Sequence, residues 1–84
     1  MTMITAFILV SVSAKDAPEL VRDLKKAPGV IEAAGVYGDA DVVVKVEAPD
    51  MRALDQMLFH TIQSNKHVKA TRTYVAIEEQ HWTR

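Results

Sequence analysis

The chain contains no cysteine, so neither a disulfide framework nor a thiolate metal site can be built from it. That suits a reducing, cytoplasmic setting. An excess of one charge sign is missing as well. Ten basic residues face eleven acidic ones, for a net charge of −1, and such a chain casts no long-range field to draw in nucleic acid or an anionic membrane surface. The longest mostly apolar run, Ile4 to Val12, is too short to span a bilayer. It has no basic leader and is followed at once by Lys15 and Asp16, which excludes a secretory signal. No linker, low-complexity segment or block of like charge divides the 84 residues. The expectation is one domain over residues 1–84, with no membrane contact and no direct nucleic-acid contact.

Catalytic patterns are equally sparse. The three histidines stand apart, at His60, His67 and His81. His60 falls on the polar side of a helix, His67 in a turn and His81 in the tail, and each is read as solvated. No spacing resembles a zinc site, and no serine sits in a nucleophile elbow. Gly38 joins two strands with no helix after it, so its turn is not a phosphate loop. The chain is expected to be no enzyme and to carry no metal or cofactor.

What is present is periodicity. In the first segment Ile4, Ala6, Ile8, Val10 and Val12 point one way, while Met3, Thr5, Phe7, Leu9 and Ser11 point the other. Asp16-Ala17-Pro18-Glu19 has the form of a capping box with proline in the first turn. Ala17, Leu20, Val21 and Leu24 then share a helical face, and Pro28-Gly29 ends that helix. A strand is predicted from Val30 to Tyr37, a turn at Gly38-Asp39-Ala40, and a strand from Asp41 to Glu47, together a hairpin. Within it Lys45 and Glu47 form a cross-strand charge pattern.

The second half repeats this grammar. Ala48-Pro49-Asp50-Met51 echoes Ala17-Pro18-Glu19-Leu20. Asp50 caps a helix whose apolar stripe is Met51, Leu54, Leu58 and Ile62, and Ser64 to Lys66 breaks it. A last strand runs from His67 to about Glu78. The order βαββαβ predicts a ferredoxin-like α+β fold, a four-stranded antiparallel sheet with both helices on one face.

That plan leaves Thr5, Phe7, Leu9 and Val43 on the open face of the sheet. At roughly 25 cal/mol per Å² of apolar surface, covering such side chains is favourable by several kcal/mol. A symmetric dimer through the sheets, with these four residues in its interface, is the simplest cover. A domain this small gains stability from such association.

The hairpin turn carries the most suggestive chemistry. Tyr37, Gly38, Asp39 and Asp41 cluster carboxylates, turn amides and a hydroxyl at one end of the sheet. Thr71 and Thr73 in the last strand point to one side and offer hydroxyls. A zwitterionic amino acid needs such a mixture, an acceptor for its ammonium and N–H donors for its carboxylate.

The segments Ala6-Phe7-Ile8-Leu9-Val10, Lys26-Ala27-Pro28-Gly29-Val30-Ile31-Glu32-Ala33, Gly38-Asp39-Ala40-Asp41 with the valine run behind it, and Thr71-Arg72-Thr73-Tyr74-Val75 together resemble the RAM domain. This is the effector-binding half of the Lrp/AsnC transcription regulators. The match runs from Ile4 to about Glu78 and leaves a short tail at 79–84.

The resemblance implies dimers through the sheets, assembly of dimers into larger rings or octamers, and amino-acid effectors held between dimers near the G-D-x-D turn. It places Tyr37, Gly38, Asp39, Asp41, Thr71 and Thr73 around that ligand, with Asp41 facing the ammonium and the amides near Gly38 facing the carboxylate. Regulators of the family carry a helix-turn-helix ahead of this domain, whereas here the first strand begins at residue 3. The reading is therefore a stand-alone amino-acid sensor that modulates a full-length Lrp/AsnC regulator by co-assembly. Ala40 departs from the aromatic residue frequent at that place in the family.

Two other readings share the βαββαβ plan. A small dimeric α+β-barrel enzyme of the monooxygenase or isomerase kind would place an acid or histidine in a cavity between helices and sheet, where this chain is aliphatic throughout. An ACT-type ligand domain would usually arrive fused to an enzyme.

Overall fold

A computed structural model describes residues 3–84; Met1 and Thr2 lie outside the described residues. The strands are β1 (Ile4–Ser11), β2 (Val30–Gly35), β3 (Val42–Ala48) and β4 (Ala70–Val75), and the helices are α1 (Ala17–Leu24) and α2 (Met51–Met57). They form one antiparallel sheet in the order β2-β3-β1-β4. The ferredoxin-like plan read from the pattern is the plan observed.

Register follows from the alternation. Ala6, Ile8 and Val10 of β1 stand opposite Val46, Val44 and Val42 of β3, and all six are fully buried. Leu20 and Leu24 of α1 and Leu54 of α2 close over them, together with Ile62 from the π-helical turn Leu58–Gln63 that extends α2. Each such side chain contributes about 1.5–3 kcal/mol through its burial. No helix among the described residues is long and apolar enough to cross a membrane.

Several boundaries differ from expectation, each for a local reason. Asp50 caps α2 as predicted, its carboxylate accepting the Ala53 amide at 2.8 Å. Asp16 does not cap α1: its backbone is already helical (φ −94°, ψ −13°), which turns the carboxylate away from the free amides of the first turn. The chain is wound before α1 begins, since the Asp16 and Ala17 amides both donate to the Ser13 carbonyl. The helix stops at Leu24 rather than at Pro28-Gly29, and the intervening residues form turns.

At its far end α2 widens to π geometry, with the Ser64 amide donating to the Phe59 carbonyl at 3.1 Å. Met51, placed in the apolar stripe by its spacing, is exposed at the helix start. The last strand is shorter than predicted, because the Asn65–Lys69 segment is a loop and a single 3₁₀ turn at Glu78–Gln80 follows β4.

Gly29 between α1 and β2 is required by its backbone. Its φ is +87°, and a Cβ there would collide with the Met57 side chain and stand 3.1 Å from the Glu47 carbonyl oxygen.

Candidate functional site

The β2–β3 hairpin ends at the same edge of the sheet where β1 finishes and β4 begins. Asp41 holds this corner together. Its amide donates to the Val10 carbonyl and its carbonyl accepts the Val36 amide, each at 3.0 Å. Its carboxylate Oδ2 accepts the Val12 amide, also at 3.0 Å. One oxygen of the carboxylate is thus committed to the backbone just past β1, and among the described residues Oδ1 accepts no hydrogen bond. Gly38, at the tip, has φ +144° with open space where a Cβ would stand. Its positive φ alone accounts for glycine there.

A hollow lies on each side of the tip. The smaller, about 120 Å³, lies between Asp39 and Ala40 of the hairpin and Ala70, Thr71 and Arg72 of β4, with Leu9 and Ser11 beneath. The larger, about 460 Å³, is bounded by Tyr37, Gly38 and Asp41 together with Ala14 and Ala17. The predicted binding residues are therefore split. Asp39 and Thr71 share one hollow, Tyr37, Gly38 and Asp41 share the other, and Thr73 borders neither. Tyr37 is wholly exposed.

The register opposite Val10 and Ile8 puts Thr71 and Thr73 on the helix side of β4. The Thr71 hydroxyl accordingly meets Gln63 Nε2, at 3.4 Å. Arg72, opposite Leu9, stands on the open side. It is the cation of the smaller hollow, and sequence spacing did not single it out.

On the open face Phe7, Leu9 and Val43 are half-buried, and Leu9 pairs directly with Val43. Thr5 is different: only 8% of it is exposed. The chain leaving β4 covers it, with the Ala76 amide donating to the Thr5 carbonyl and His81 lining the same small depression. The His81 ring then meets Phe7 edge-on, 6.0 Å between centroids. His81 is thus a packed residue rather than a solvated tail histidine. Lys45 does not pair with a carboxylate; its Nζ lies 6.0 Å from the Phe7 ring centroid, a cation–π geometry.

The family model for the Lrp/AsnC ligand binding domain matches residues 5–81. The chain belongs to this family. Among solved structures, this Lrp/AsnC domain is similar to AsnC of E. coli, with TM-score 0.88 and 26% identity over 96% of the chain. It covers 55% of that protein, so it spans about half of the AsnC length. A hypothetical protein from Pyrococcus horikoshii is 35% identical with TM-score 0.83, and here the match covers 94% of this chain and 99% of the other. A transcriptional regulator from Neisseria meningitidis, solved as a complex with L-Met, is 28% identical with TM-score 0.83, over 95% of this chain and 53% of that one. No curated protein matches the chain by sequence. The family model makes this a ligand-binding domain of the Lrp/AsnC type, and the matched span extends past β4 to His81.

Sequence spacing also missed a cluster away from the hairpin. His67, read as a solvated turn residue, is largely buried between Asp16 and Glu19. The two carboxylates are neighbours on one helical turn, but the histidine comes from the opposite half of the chain, so no motif links them.

Proposed function

We propose that this Lrp/AsnC domain is an amino-acid-responsive assembly unit. Two copies associate through their open sheet faces, and dimers join further around the hairpin tips into a ring or octamer. The observation that carries the reading is the convergence of Asp39, Thr71 and Arg72 on one hollow at the sheet corner. An anionic and a cationic side chain beside free turn amides suit the two charges of a zwitterion. In this hollow Asp39 serves as the ammonium acceptor and the Arg72 guanidinium serves the carboxylate. Across the tip, Asp41 Oδ1, the Gly38 amide and Tyr37 line the second hollow and offer a like set of groups to a ligand from a neighbouring dimer, with Thr73 of that dimer completing the border. The L-Met bound by the Neisseria regulator supports an amino acid as the ligand class.

A ligand held between dimers makes contacts only the assembled form offers, and so shifts the population toward it. Acting as a stand-alone cytoplasmic sensor, the domain passes this state to a full-length Lrp/AsnC regulator by co-assembly. The test is a thermal-shift screen of the twenty amino acids with particle mass followed by light scattering. At least one amino acid is expected to raise both the melting temperature and the mass. A domain indifferent to all twenty overturns the reading.

A further inference from the structure

The first turn of α1 and the loop leading into β4 bring together three side chains that can ligate a metal. His67 Nε2 stands 3.3 Å from Glu19 Oε2, and His67 Nδ1 stands 3.5 Å from Asp16 Oδ2. One ligand atom from each residue lies within 4.8 Å of the others. Only 14% of the imidazole is exposed, and each ring nitrogen faces a carboxylate oxygen, although Nε2 forms no well-aligned hydrogen bond. A nitrogen and a carboxylate oxygen that face each other without hydrogen-bond alignment are placed as a bridging cation requires.

Two further observations point the same way. Asp16 sits at the N-cap of α1 yet makes no capping bond, so its carboxylate has no helical duty. Among the described residues neither Asp16 nor Glu19 has a lysine or arginine in ion-pair range. Two carboxylates therefore meet one imidazole, Asp16 at Nδ1 and Glu19 at Nε2, with no basic side chain to offset them. The loop is also held in place: the His67 amide donates to Asn65 Oδ1 at 2.9 Å, and Asn65 Nδ2 donates to Asp23 Oδ2 of α1 at 3.2 Å.

We infer that Asp16, Glu19 and His67 form a binding site for a divalent transition metal of the zinc type. A donor set of one imidazole nitrogen and two carboxylate oxygens suits zinc and its first-row neighbours, whereas magnesium and calcium prefer oxygen alone. Around a tetrahedral zinc, with bonds of about 2.0–2.2 Å, adjacent ligand atoms stand roughly 3.4 Å apart. The Nε2–Oε2 separation already has this value, and the partly exposed Asp16 side chain supplies the third ligand by rotation. Three protein ligands leave a fourth position for water or an incoming donor. The ion neutralises the excess charge and clamps α1 to the loop from which β4 starts.

The experiment is calorimetric titration of the EDTA-stripped full chain with zinc chloride, with melting curves in parallel and magnesium chloride as control. One zinc per chain is expected, with Tm raised by about 10–20 °C at a hundredfold excess over Kd, and no response to magnesium. Glu19→Gln and His67→Gln should each weaken zinc at least tenfold, while His60→Gln, on an exposed site elsewhere, should not. Glu19 is half-exposed, so its variant keeps the test valid if His67→Gln fails to fold. Absence of stoichiometric zinc binding, or parental affinity in Glu19→Gln, overturns the site.

Discussion

The Asp41 carboxylate accepts the Val12 amide across the corner of the sheet, at 3.0 Å. Through that bond the turn tip of one hairpin fixes where the first strand ends. An acidic residue proposed as a ligand contact is therefore also a structural one, and substitutions there separate the two duties.

Asp41→Asn retains an oxygen able to accept from Val12 and removes the charge. Its folding stability should fall by no more than about 1 kcal/mol, whereas Asp41→Ala, which leaves the amide unpaired, should lose about 1–3 kcal/mol. Urea denaturation checks the order. If the two variants are equally stable, the Val12 bond contributes nothing.

Phe7 is half-buried beside Leu9 and Lys45 with His81 on its edge. Phe7→Asp should place a charge in the proposed interface between sheets and convert dimers to monomers, or unfold the chain. Sedimentation velocity at micromolar concentration is the measurement, and a folded, dimeric Phe7→Asp protein would refute the interface.

Gly29 and Gly38 both have positive φ, but only Gly29 is also crowded. Gly38→Ala should cost about 1–3 kcal/mol from backbone strain alone. Gly29→Ala should cost more, because the Glu47 carbonyl oxygen is backbone and cannot swing aside as the Met57 side chain can. Thermal melts of the two variants decide the ranking.

Asp50 is the working N-cap of α2. Asp50→Ala should lower stability by about 0.5–2 kcal/mol, and Asp50→Ser should restore most of it. Chemical denaturation of the pair distinguishes a cap from a generic surface charge.

Much of the architecture was legible because period-two alternation decides which residues face the helices. Ile8 and Val44 could be placed under the helices from spacing alone, and their register bears that out. Spacing was weaker where backbone conformation intervenes. Asp16 and Asp50 carry the same side chain before similar helices, and only Asp50 caps, because the turn before Asp16 is already helical.

The corner site was partly legible. Gly38 and Asp39 announce a turn, but the order β2-β3-β1-β4 brings that turn beside the start of β4 within one chain, without help from assembly. Arg72 went unnoticed because alternation in an edge strand does not say which face will line a hollow. Thr5 and His81 were misjudged together, since nothing in the tail's composition says that it folds back along β1.

The position of β1 at the centre of the sheet bears on how the protein is made. Its partners are β3 on one side and β4 on the other, so the first strand of this domain completes its hydrogen bonds only when Val75, opposite Ala6, has emerged. During translation the apolar face of Ile8 and Val10 must wait with one edge open, a state prone to pairing with foreign strands. The β2–β3 hairpin and α1 are available earlier, and docking β1 onto β3 first would shelter that face during the wait. A slow stretch of translation after Ala48 would favour this order, and a chain cut before β4 should be captured by holdase chaperones.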